Sequence, residues 1–259
     1  MKKLFLSMVA AAMMCAPATA QLKVKTLSTY TDKLQVEQLQ MTNQTTQINR
    51  TLYAGYNSIC LPMSLTAESL QSSARDVRIE RLAGIQQEGN VLYLYFVDCT
   101  ADGLEAGMPY LIFSPTLQNL RARSSEAKSI NTEIHNVCLS DAQGNRITFG
   151  SSWESVKGDA QRYGIPAKQD KEVLESVLIR TDADKTFLPT RCGITWNEQA
   201  STATTIEIRH IASLRELPTG ISTVAAEQNG KNVYDLSGRR ATTAKKGIYV
   251  IDGKKAAVK

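Results

Sequence analysis

Histidine is almost absent from this sequence: His135 and His210 are the whole supply among 259 residues. A nucleophile–base–acid triad has only those two imidazoles to draw on, and a polyhistidine metal site has too few. Aromatic residues make up 6%, with tryptophan limited to Trp153 and Trp196. The chain contains no G-x-S-x-G elbow, no phosphate loop, no dinucleotide fingerprint and no calcium loop with its central Gly and terminal Glu. Beyond residue 15 no apolar run is long enough to cross a bilayer as a helix, so no transmembrane helix is expected in the mature chain. No cofactor is expected either.

What is present begins with a leader. Lys2 and Lys3 form a basic start, Leu4 to Cys15 is an apolar run, and Pro17 ends it. Ala18-Thr19-Ala20 is an A-x-A cleavage signal, which predicts a mature chain beginning at Gln21. The competing reading is a lipoprotein signal acylated at Cys15, but Met14 stands where a small residue is wanted. The expected location is outside the cytoplasm: the outer-membrane surface or the exterior, ahead of the periplasm.

Charge is uneven. The formal charge of +5 falls to +3 once Lys2 and Lys3 are removed. Residues 231–259 hold eight basic side chains against Asp235 and Asp252, a local +6, which leaves −3 on residues 21–230. Such a tail suits an anionic cell surface, or simply a solvated end. It lacks the interleaved aromatics of a nucleic-acid site, so no nucleic-acid partner is expected.

Four cysteines follow the leader: Cys60, Cys99, Cys138 and Cys192. An even count in an oxidising compartment permits two disulfides in three connectivities. Their wide spacing fits no zinc pattern, so no metal site is expected. All four lie in apolar stretches, where buried free thiols are also common.

Along the chain the recurring unit is a strand followed by a turn. Strands are expected over 22–27, in two pieces over 48–65 broken near Gly55, over 76–85 and 91–99 around a five-residue loop, and over 107–114. Further strands are expected at 134–139 and 145–149, at 173–180 and 185–188 as a hairpin, and at 192–196 and 204–211. Residues 115–130 read as a loop and 66–73 as the one short helix, capped by Thr66. VLYLYFVDC (91–99) is apolar on both faces and so belongs inside a covered sheet. The pattern predicts an all-β chain: a β-sandwich or jelly-roll-like domain over 21–215, a linker over 216–230, and a small C-terminal β module over 231–259 made of two hairpins, 232–236 with 239–242 and 247–251 with 254–259.

Two stretches carry a resemblance. VYDLSGRRATTAKKGIYVIDGKKAAVK resembles the last part of the C-terminal domains on many exported proteins of the Bacteroidetes. The matching positions are Val233, Tyr234, Asp235, Leu236, Gly238, Arg239, Gly247, Ile248, Tyr249, Gly253, Lys254, Lys255 and Lys259. The resemblance implies an Ig-like β module read by the type IX secretion machinery and commonly removed at the outer membrane. TLYAGYNSICLPMSL (51–65), LEAGMPYLIF (104–113) and FLPTRCGITW (187–196) are similar to a β-rich module of large secreted and surface proteins of the same bacteria. That likeness, over about 45–212, implies an extracytoplasmic β domain and no particular reaction.

Chemistry-bearing residues are few. His135 and His210 read as strand histidines. Ser125-Glu126-Ala127-Lys128 fits S-x-x-K without the companion motifs of that enzyme class. Asp98 reads as a strand-end aspartate, and Asp182 and Asp184 as a turn. Trp153, Trp196, Tyr53 and Tyr56 are candidates for a sugar-stacking platform, with burial in the sandwich as the competing reading. The combination points to a non-catalytic surface or secreted protein that binds an unidentified protein or glycan. The alternatives are a structural component of an envelope assembly docking by strand addition, or a hydrolase with an unrecognised carboxylate pair.

Overall fold

The computed structural model describes residues 24–40, 45–166, 178–197, 201–218, 221–223, 233–235, 247–251 and 254–258. The fold is all-β, with one α-helix among the described residues. Its centre is a sheet built from β3 (Gly55–Ile59), β4 (Arg78–Glu88), β5 (Val91–Asp98), β6 (Tyr110–Ser114) and β15 (Thr205–Ile211), in the order β15-β5-β4-β6-β3. Along one face lie β1 (Val24–Ser28), β2 (Thr45–Leu52) and β7 (Gln118–Arg123), with the helix α1 (Ala67–Ser73). Along the other lies a five-stranded sheet of β8 (Val137–Ser140), β9 (Arg146–Ser151), β11 (Arg162–Gly164), β12 (Ile179–Arg180) and β14 (Cys192–Asn197).

Two-residue periodicity explains the layering. Ile59, Ile79 and Ile112 of the central sheet point into one core with Ile48, Leu52, Leu120 and Leu70. Tyr56, Leu82 and Leu111 point the other way, into a second core with Phe149, Ile194 and Trp196. A bulge between Leu82 and Gly84 adds one residue to β4. It lets Leu82 and Ile85 face the same core despite their odd separation. As its composition required, β5 is sheathed on both sides: Leu94 and Phe96 are fully buried on one face, and Tyr95 and Val97 nearly so on the other.

Several expected elements form as read. Thr66 Oγ1 accepts from Ser69 N at 3.1 Å and caps α1. Gly107, within the AGMPY stretch, takes φ +80°, and a Cβ there would lie 2.1 Å from Glu133 O. Only glycine lets the two backbones cross so closely.

Four expectations are corrected. Residues 118–123 are a strand, not loop, because Leu120 and Ala122 supply just enough inward apolar surface to pair with β2. The β4–β5 hairpin turns at Gly89-Asn90 alone, since Gln86, Gln87 and Glu88 remain in the ladder. Among the described residues the segments around 181–184 do not pair with each other, and residues 173–177 of the first expected arm lie outside them. Of these segments, β12 pairs with β11, while β13 (Thr186–Phe187) pairs with β10 (Val156–Lys157). The expected linker contains β16 (Ser222–Thr223), which joins β4 beside Ile85 and Gly84.

In the tail, β17 (Val233–Asp235), β18 (Gly247–Ile251) and β19 (Lys254–Val258) form one antiparallel sheet with β18 in the middle. The β18–β19 hairpin is as expected. Val233–Asp235 pairs with β18, and its expected partner 239–242 lies outside the described residues.

Candidate functional site

A cleft of about 630 Å³ lies at one end of the central sheet. One wall is the Leu65–Leu104 bridge, where each backbone N–H donates to the other residue's carbonyl at 2.9 Å. Gly103, at φ +78°, permits it, because a Cβ there would meet Leu65 O at 2.2 Å. The floor is Cys99 at the end of β5 and the buried Tyr110 ring, whose hydroxyl accepts from Glu105 N at 3.1 Å. The far wall is Lys128-Ser129, tied to Ser64 by Ser64 N–H donating to Ser129 O at 2.9 Å and by Ser129 N–H donating to Ser64 Oγ at 2.7 Å. Glu68, Arg81, Asp102, Glu105 and Lys128 line the cleft, and all five are exposed.

This inventory decides what the cleft can do. Burial pushes the Cys99 thiol up to about 12, so it is not a thiolate nucleophile near neutral pH. Burial also raises the Tyr110 phenol. Ser64 Oγ is engaged with Ser129, with no imidazole among the cleft's lining residues. Solvated side chains of both signs offer hydrogen bonds and charge to a polar ligand.

Neither histidine is among the cleft's lining residues. His135 precedes β8 in irregular chain, not in a strand as expected, and its Nε2 lies 2.8 Å from Asn131 Nδ2. His210 is in β15, as expected, with Nδ1 2.5 Å from Glu80 Oε2. Asp98 accepts from Thr100 N at 2.8 Å at the strand end, and Asp182 accepts from Asp184 N at 3.0 Å within the turn. Ser125 is exposed, and of the S-x-x-K pair only Lys128 lines the cleft.

The aromatic platform is not formed. Trp196 is fully buried, its Nε1 donating to Asn145 Oδ1 at 3.1 Å, and Tyr56 is buried beside it in the same core. Trp153 is half-buried and donates to Thr132 O at 2.6 Å. Tyr53 is half-buried like Trp153, so none of the four rings offers a fully exposed face.

Of the two possibilities the cysteine count left open, the structure has free thiols at Cys60, Cys99, Cys138 and Cys192. Cys99 belongs to one core, and Cys60 and Cys192 to the other, across the central sheet. Cys138 is exposed. Burial holds Cys192 up to about 12 and Cys60 well above its usual value.

Sequence reasoning missed Glu80. It is 4% exposed, and its carboxylate accepts from Tyr56 Oη at 3.1 Å and meets His210 Nδ1. The His210 ring stacks on Tyr56 with centroids 4.3 Å apart. Burial, helped by the Glu80 charge, raises the Tyr56 phenol. The available signal was parity: Glu80 and Leu82 share a face of β4, so a carboxylate there must be satisfied internally.

Of the sorting-like residues, Val233, Tyr234 and Asp235 lie in β17, Gly247, Ile248 and Tyr249 in β18, and Lys254 and Lys255 in β19. Leu236, Gly238, Arg239, Gly253 and Lys259 are outside the described residues, as are Ala18, Ala20 and Gln21 of the leader. No helix among the described residues is long and apolar enough to cross a membrane, and no three His, Cys, Asp or Glu side chains among them group as metal ligands would. Comparison with protein-family models, curated proteins and solved structures finds no match to this chain.

Proposed function

We propose that this chain is an exported, non-catalytic binding protein of a bacterial outer surface or exterior, and that it holds its ligand in the cleft between residues 64–68, 99–105 and 128–129. The observation that carries this reading is the cleft's lining: exposed Glu68, Arg81, Asp102, Glu105 and Lys128 around a volume of about 630 Å³. That volume suits a small polar ligand or the end of a larger one. The leader, the β architecture and the basic tail support the location, and the tail is the candidate contact with type IX secretion machinery.

Retention of the purified chain on peptidoglycan, lipopolysaccharide and capsular polysaccharide tests the reading. Retention on one of them, weakened at least tenfold by Asp102→Lys with Glu105→Lys, is the expected result. Retention unchanged by those substitutions would remove the cleft from the proposal.

A second reading has an observation in its favour. Three carboxylates line one cleft, as a glycosidase pair would. A general acid in such enzymes is held protonated by burial, whereas these three are exposed. Release of reducing ends from those polysaccharides, lost in Asp102→Asn or Glu105→Gln, would favour hydrolysis over binding.

A further inference from the structure

Away from the cleft, a buried arginine lacks a counter-charge. Arg50 shares its face of β2 with the fully buried Ile48 and Leu52 and is itself 3% exposed. Its Nη1 donates to Thr51 O at 3.0 Å and its Nη2 to Ser58 O at 3.5 Å, while Nε has no acceptor. Arg191, just before β14, is a second guanidinium nearby. It is half-buried, sits 5.0 Å over the Tyr30 ring, hydrogen-bonds the Tyr30 side chain, and reaches Thr29 O at 3.5 Å. Among the described residues no carboxylate lies within salt-bridge distance of either. Thr190, the neighbour of Arg191, is fully buried at φ +70° with Oγ1 unpartnered. Arg50 Nε and Thr190 Oγ1, two of the four unpartnered buried side-chain atoms among the described residues, therefore fall in this region.

Elsewhere a buried charge is neutralised by a partner of opposite sign. Here two cations work against one another. Burial, and then the charge of Arg191, pulls the Arg50 guanidinium down to about 10. Burial lowers Arg191 too. Tyr30 feels the same field: burial acts to raise its phenol, but the hydrogen bond with Thr51 and the charges of Arg50 and Arg191 lower it on balance. The Tyr30 ring under Arg191 is 53% exposed, so the pair lies at the edge of the core on the Arg191 side. A guanidinium fork with unused donors matches the oxygens of a carboxylate, sulfate or phosphate.

We propose that Arg50 and Arg191, rimmed by Tyr30 and Thr190, form a binding site for a small oxyanion, the carboxylate, sulfate or phosphate group of a soluble ligand.

Thermal unfolding of the purified chain in inorganic phosphate, in sulfate and in glucuronate tests this, with ionic strength held constant by sodium chloride. The midpoint is expected to rise by about 5 °C at saturation in at least one arm. The arms separate a tetrahedral oxyanion from a sugar carboxylate. Arg50→Leu removes the uncompensated charge, so its midpoint without anion equals or exceeds that of the parent, and its response to anion is lost. Arg191→Gln, at a half-buried position, lowers the response without altering the core. No response in any arm overturns the site, as does a response undiminished in both variants. A destabilised Arg50→Leu together with a full response in Arg191→Gln would also overturn it, leaving Arg50 as a donor to Thr51 and Ser58 alone.

Discussion

Ser58 Oγ donates to Cys192 O at 3.0 Å and accepts from Cys192 N at 2.9 Å, so one buried hydroxyl satisfies both backbone groups of a residue in another sheet. This pair joins β3 of the central sheet to β14 of the five-stranded sheet. Beside it, Cys60 N–H donates to Thr190 O at 2.9 Å. Ser58→Ala leaves the Cys192 N–H and C=O unmatched in a dry interface. The expected loss is about 2 kcal/mol of unfolding free energy in urea titration, with the slope unchanged. A loss within error of zero would mean that the two sheets are held by packing alone.

The thiols differ in access, and that is measurable. Iodoacetamide is expected to label Cys138 quickly in the folded chain and to leave Cys60, Cys99 and Cys192 untouched until denaturant is added. Burial raises all three and keeps reagent from Cys60 and Cys192, while Cys99, on the cleft floor, is protected by its raised thiol. Intact mass of a chain beginning at Gln21, which lacks Cys15, would show one adduct when folded and four when denatured without reductant. Two adducts in the unreduced, denatured chain would instead mean that a disulfide had formed.

Glu80, Tyr56 and His210 tie β4, β3 and β15 together. Glu80→Ala removes the carboxylate that the Tyr56 hydroxyl and His210 Nδ1 share and is expected to cost about 3 kcal/mol. His210→Ala is expected to cost about 1 kcal/mol, because His210 lies at the more open edge of the group. The double variant should lose less than the sum of the two, since the residues share one interaction. Strict additivity in chemical denaturation would show the group to be uncoupled.

Much of the fold was legible because period-two alternation is a local property. The strand at 91–99 advertised its double coverage through its own composition, and Thr66 advertised the cap of α1. What escaped depends on distant chain. Gln118–Arg123 has only Leu120 and Ala122 facing inward, too little to announce a strand without β2 beside it. The hairpin expected around 181–184 failed because neighbours remote in sequence compete for each arm. Glu80 and Arg50 sit at inward positions of otherwise readable strands, where the pattern calls for an apolar residue. The cleft was not legible at all, since three segments far apart in sequence build it.

The C-terminal segment offers the last test. A chain ending at Thr223 keeps the β16 pairing with Ile85 and Gly84, whereas one ending at Gly220 loses it. Loss of β16 would confuse misfolding with missorting, so the Thr223 endpoint is the informative one. If residues 224–259 act as a sorting module, this shortened chain unfolds in urea at the same midpoint as the parent but stays in the periplasm. The exported parent would then lose mass corresponding to its tail. Unchanged location and intact mass would make the β17–β18–β19 sheet a working part of the protein, and the ligand search would have to use the whole chain.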